Sequence, residues 1–127
     1  MQNQKSAIGL DGNVTALIGY IIGIIALVEI FIEKQNKFAK FHAVQAVLFH
    51  VAMWVVFVFV WIGVIILGVI FSMISSTLGS IIWILSTLIF LVWFVALIGG
   101  IILGALKSYQ GNMFKFPIIG NLAEKWS

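Results

Sequence analysis

Glu29 is the one carboxylate set inside an apolar run of this chain, and His42, Gln45 and His50 follow it beyond a lysine-bearing break. An ionisable group at membrane depth is costly, so such residues are the first places to look for function. On a helix, His42 and Gln45 share a face at a spacing of three residues, while His50 falls about 80° around from His42. With Lys40 they outline a candidate polar cluster, Glu29, Lys40, His42, Gln45 and His50, able to take up a proton, a lipid headgroup or a partner's polar segment. The plainer chemistry is a structural polar clasp between two spans, with Glu29 reaching headgroup water or pairing with Lys40.

Other chemistries lack their residues. Cysteine is absent, which removes disulfides, thiolate chemistry and cysteine-ligated zinc. His42 and His50 lie two turns apart and lack the i, i+4 pairing of helical zinc sites, so no metal is expected. There is no P-loop, dinucleotide fingerprint or nucleophile elbow, and the Gly99-Gly100 pair lies inside an apolar run. The expectation is a protein with no enzymatic activity and no cofactor.

The elements that position these residues are written in the composition. Of 127 residues, 63% are hydrophobic and 9% charged, against roughly 25% charged in soluble domains. Mean hydropathy is +1.22. The fold class expected is all-α integral membrane, in a single transmembrane helical domain over 1–127. Val14–Ile32 matches the roughly 20 residues needed to cross a hydrocarbon core, and is the first of three expected spans. The second and third, over 43–73 and 78–106, are long, with a polar turn between them. Met1 to Gly12 reads as a solvated tail, with Asp11 or Asn13 placed to cap the first helix. Residues 108–127 read as an amphipathic interfacial tail, with Ile118, Ile119, Leu122 and Trp126 on one face.

Seven lysines and no arginine give a net charge of +3. They flank apolar spans, which suits membrane orientation and not nucleic acid. Lys34, Lys37 and Lys40 occupy the first break, and Lys107, Lys115 and Lys125 the tail. Three spans put both basic segments in the cytoplasm and the amino terminus outside, in a multi-pass protein of the cell membrane.

Small residues mark the contact faces of helices in lipid. Gly19 and Gly23 form one row, Gly100 and Gly104 another, and Gly63 and Gly68 lie between them in sequence. Depth counted at about 1.5 Å per residue keeps the first two rows apart. Span two is then expected to pack against span one outside and span three inside. Trp83, Tyr109 and Trp126 fall near the expected interfaces, and Trp54, Trp61 and Trp93 deeper.

Two stretches look familiar together: Asn36-Lys37-Phe38-Ala39-Lys40-Phe41-His42-Ala43-Val44-Gln45-Ala46, and the run from Tyr109 to Glu124 with Tyr109, Gln110, Gly111, Phe116, Pro117, Ile119 and Gly120. Separated by two apolar runs, they resemble a small prokaryotic integral membrane protein family of unknown function. That family has been described as similar to the twenty-kilodalton Tic component of chloroplast protein import. Family members often have arginine at Lys40 and aspartate at Asn121. The family carries no assigned activity, and the role expected of this chain is that of a helical subunit or accessory factor of a membrane assembly, one concerned with protein insertion or transport. Its partners would be the lipid bilayer and protein partners or copies of itself. The competing expectation is an oligomeric proton or small-ion conduit using Glu29 and His42 or His50.

Overall fold

The computed structural model describes residues 3–127, so the first two residues of the expected solvated tail lie outside it. Among the described residues the regular elements are all helical, apart from a single bridge between Lys5 and Asp11. They are α1 (Gly12–Ile21), α2 (Gly23–Ile32), α3 (Lys37–Ile74), α4 (Ser76–Tyr109) and α5 (Ile119–Trp126). The chain divides into two compact units, one of residues up to Val51 together with Gly99–Ser127, the other Ala52–Ile98.

The expected first span over 14–32 is corrected in the first unit. It is two ten-residue helices, broken at Ile22, whose φ of −118° and ψ of 90° are not helical. In one continuous helix, Gly19 and Ala26 would lie about 10.5 Å apart along the axis. Here a Cβ built on Gly19 would sit 3.2 Å from the Ala26 Cβ, so α2 folds back along α1. A ten-residue helix is about 15 Å long, half of a hydrocarbon core of about 30 Å. The pair forms a fold-back hairpin, not a crossing.

The residues before α1 and after α2 are consequently joined. The Ala7 N–H donates to Glu33 Oε2 at 2.6 Å, and Asn36 Nδ2 donates to the Gln4 carbonyl at 2.9 Å. The amino-terminal segment is thus bonded directly to the Glu33–Asn36 turn. Nor is that segment a loose tail, because Ser6 is buried and its hydroxyl bonds that of Thr15 at 2.6 Å. Neither expected cap acts through its side chain: Asp11 precedes α1 without a side-chain cap bond, and Asn13 Nδ2 donates to the Tyr109 carbonyl at the end of α4.

Two helices, α3 and α4, are long and apolar enough to cross a membrane. Their 38 and 34 residues run about 57 and 51 Å. The expected polar turn shrinks to Ser75, the one residue between them.

The second unit, 52–98, carries no Lys, Asp, Glu or His. It is an antiparallel helical hairpin whose tip is closed by Gly79 against Ser72. The Trp93 indole N–H donates to the Met53 carbonyl at 2.8 Å, and its ring meets Trp54 and Phe57 at centroid distances of 5.2 and 4.8 Å. Trp93 is thus a packing residue between helices. Gly68 faces Trp83 of α4 and not span one, while Gly63 has no neighbour within 4 Å of an added Cβ. An apolar cleft of about 320 Å³ lies among Met53, Phe57, Ile89, Phe90 and Trp93.

Candidate functional site

The first unit gathers His42 and Gln45 around a residue that spacing did not single out, Tyr20. It lies in the last turn of α1 and is fully buried. Its hydroxyl is 3.0 Å from His42 Nδ1 and receives a bond of 2.6 Å from Gln45 Nε2. His42 Nε2 lies 2.9 Å from the Asn112 carbonyl, which can only accept. Nε2 is therefore the protonated nitrogen, Nδ1 accepts, and the Tyr20 hydroxyl donates to it. The pattern is that of a neutral imidazole with every polar atom engaged.

Gln45 binds the tail as another backbone strand would. Its Nε2 also donates to the Phe114 carbonyl at 2.8 Å, and its Oε1 accepts the Phe116 N–H at 3.1 Å. Exchanging the amide oxygen and nitrogen would set two acceptors against each other, so the network fixes the orientation. His50 Nε2 lies 2.9 Å from the Tyr20 carbonyl, one of the carbonyls orphaned where α1 breaks. Both histidines thus serve chain ends.

The tail is shaped to reach this cluster. Helix α4 ends at Gly111, whose φ of 82° closes the last turn, with the Asn112 N–H on the Lys107 carbonyl at 3.0 Å. Further on, Ile118 adopts φ 66° and ψ −56°, and the Ile119 N–H reaches the Pro117 carbonyl at 2.7 Å. That is a γ-turn of the strained, positive-φ kind. It swings α5 onto α3, where Ala123 packs with Phe41 and Val44. Gly120 passes so close to Lys115 and the Gln45 amide that a Cβ would collide with both. Ile118, Leu122 and Trp126 of the expected apolar face stay exposed.

The two glycine rows do not pack on one another: Gly19 faces Ala26 of α2 and Gly100 faces α3, as depth counting expects, while Gly104 reaches α1 at Tyr20. A Cβ on Gly104 would lie 2.6 Å from the Tyr20 ring, and one on Gly100 would collide with the Phe49 ring. Gly23 faces the His50 ring at 3.2 Å. Because α1 is half of a fold-back hairpin, its far end stands at the level of α4's last turns.

Glu29 is not part of this cluster. No hydrogen bond links it to either histidine among the described residues, and Lys40 forms no ion pair with it; the ion pairs there are Lys5–Asp11 at 2.8 Å and Lys115–Glu124 at 2.6 Å. The expected five-residue cluster therefore separates into a Tyr20–His42–Gln45 clasp, a capping His50, and a distinct acidic pair of Glu29 and Glu33. Glu33 Oε2 accepts the Ala7 N–H, and Oε1 accepts the N–H groups of Gln35 and Asn36 at 3.0 and 2.9 Å. Burial would raise its carboxyl, but the N–H groups of Asn36, Ala7 and Gln35 outweigh that and hold it below the ordinary glutamate value. Asn36 Oδ1 accepts the Ala39 N–H at 3.1 Å, capping α3. An asparagine before a helical run was the available signal for Asn36, and a lone tyrosine in an apolar run was the signal for Tyr20.

Comparison with known proteins adds a lineage. Residues 5–123 match the family described as the magnetosome magnetite crystal formation protein family. A UPF0132 membrane protein of Methanocaldococcus jannaschii is 33% identical over 97% of this chain and 94% of its own length. A second from that organism is 29% identical over 94% of this chain and 73% of its own length. One from Archaeoglobus fulgidus is 27% identical over 89% of this chain and 92% of its own length. No solved structure matches.

Proposed function

The chain belongs to the magnetosome magnetite crystal formation protein family, and from that premise we propose that it is a non-enzymatic helical subunit of a membrane assembly. One observation carries this reading. The side chains with catalytic potential, Tyr20, His42 and Gln45, are spent on one another and on the backbone of the tail. A clasp so completely satisfied rigidifies a fold and leaves no group aimed at a substrate. The second unit, by contrast, offers lipid or a partner helix an uncharged surface with Val56, Phe59, Val92 and Phe94 exposed.

The family's printed association is with mineral formation. In this chain Glu33 is occupied by N–H donors, Asp11 and Glu124 are paired with lysines, and among the described residues no three His, Cys, Asp or Glu side chains converge. This supports a scaffolding part in an assembly in preference to a metal-binding one. The partner class is another membrane protein or a second copy. The likeness to the chloroplast import component enters only as one identity the partner test can return.

For orientation, all seven lysines fall in the first unit. The positive-inside rule then sets both termini and the Glu33–Asn36 turn in the cytoplasm, with α3 and α4 as the two crossings. Thiol labelling of Lys34→Cys, Ser75→Cys and Ser127→Cys from outside the cell tests this: Ser75→Cys alone should react. Reaction at position 34 or 127 overturns the two-crossing arrangement.

The conduit reading draws on one observation, the buried Glu29 without a donor. Liposomes holding the pure protein separate the two ideas. Ion flux abolished by Glu29→Gln would establish the conduit, whereas no flux and a stoichiometric membrane partner in mild detergent would establish the subunit.

A further inference from the structure

Glu29 sits in the last turn of α2, 1% exposed, and neither carboxylate oxygen has a hydrogen-bond partner among the described residues. A buried polar side chain left in this condition calls for a bound species. The acid nearest it along the chain is Glu33, itself buried and one turn further on, its N–H bonded to the Glu29 carbonyl at 2.8 Å. Glu33 has nothing to give in its charged form: it already accepts three backbone N–H bonds, from Ala7, Gln35 and Asn36. Two carboxylates this close and this far from water do not both remain charged.

Neighbouring charges do not relieve the pair. In the amino-terminal segment Lys5 is held by Asp11 at 2.8 Å, and α1 carries no charged side chain. Lys34 in the turn and Lys37 at the start of α3 are exposed, and Lys40 pairs with neither acid among the described residues. In the tail, Lys115 is taken by Glu124, and Lys125 is exposed.

We propose that Glu29 and Glu33 form a single-proton site, in which Glu29 carries the proton and donates it to the Glu33 carboxylate. The ligand is the proton, and the site is a latch on the amino-terminal segment. With the proton bound, Glu33 stays in its N–H cradle and keeps hold of Ala7. When the Glu29 O–H bond breaks and the proton leaves to water, both acids are charged. Their repulsion is relieved by moving Glu33 off the Ala7 amide, so alkaline conditions open the latch and acid uptake closes it. The site holds whether or not the chain works as a subunit of a larger assembly.

The test uses the full chain in lipid nanodiscs. Infrared spectra at neutral pH should contain the carbonyl band of a protonated buried carboxyl, lost at alkaline pH and absent in Glu29→Gln. In isotope-labelled protein the Ala7 amide resonance should titrate with the same midpoint, and in Glu29→Gln it should stay flat. Glutamine keeps a donor toward Glu33, so that variant mimics the closed latch. Absence of the band at neutral pH, its survival in Glu29→Gln, or a response that follows sodium and not pH would each overturn the proposal. If Glu29→Gln does not fold, the wild-type chain decides alone: coincident midpoints support the site and separate midpoints refute it.

Discussion

The two units solve one problem, holding helices together where water supplies no drive, by opposite means. The first, assembled from both ends of the chain, is tied by directed polar bonds from Tyr20, His42, Gln45, Glu33 and Asn36. The second, 52–98, is a continuous hairpin held by aromatic packing around Trp93 and by close approach at Gly68 and Gly79. The difference teaches that polar groups here specify, while apolar contacts only fill. A hairpin closed by one residue needs little specification, because its turn sets the register. Segments distant in sequence need bonds with direction.

If that contrast is right, Gln45→Leu should have the largest effect. It strands the Phe114 carbonyl and the Phe116 N–H, and at about 1–3 kcal/mol per unsatisfied buried group the loss should approach about 4 kcal/mol. Thermal unfolding in detergent measures it, and faster trypsin cleavage at Lys115 would show that the tail has come free. Next, Val56→Lys in the uncharged hairpin should cost about 3 kcal/mol of insertion free energy, read as lost membrane integration. Gly104→Ala should cost about 2 kcal/mol by driving a methyl into the Tyr20 ring. The same change at Gly63, where nothing lies within 4 Å, should be neutral or gain up to about 1 kcal/mol from helix propensity. Equal effects at 63 and 104 would erase the distinction between the units.

A gentler probe is acid. The Glu33 carboxyl is held below its ordinary value in the folded chain, so the stability it contributes is complete above about pH 4.3, the unfolded value, and is lost as pH falls through the folded one. Glu33→Gln should flatten this acid limb of the unfolding curve and, by removing the charge that faces Glu29, should also abolish the alkaline opening of the latch.

The membrane class and both long helices were legible in the sequence, because charge stops at Lys40 and resumes at Lys107. The shared face of His42 and Gln45 was legible too, since a spacing of three is local information. The break at Ile22 was not. No proline or polar residue marks it, and the nineteen residues from Val14 to Ile32, with Glu29 as their one charge, read as one crossing. Its causes are tertiary, Gly19 against Ala26 and His50 on the Tyr20 carbonyl. Read as one crossing, 14–32 holds Tyr20 away from Gly104 and Ala7 away from Glu33, contacts that only the fold-back creates. Gln45 illustrates the same limit, because its partners lie as far as 71 residues along the chain.

That separation also has a meaning in time. At about 5–20 residues per second, synthesis leaves an interval of roughly 4 to 14 s between the appearance of Gln45 and of the backbone that completes it. During that interval the hairpin can already be inserting, while the Tyr20 hydroxyl and the Gln45 amide wait without the tail. Completion of the clasp therefore waits on the Phe114–Phe116 backbone: a chain truncated before Phe114 would be delivered to the membrane with Gln45 unanswered.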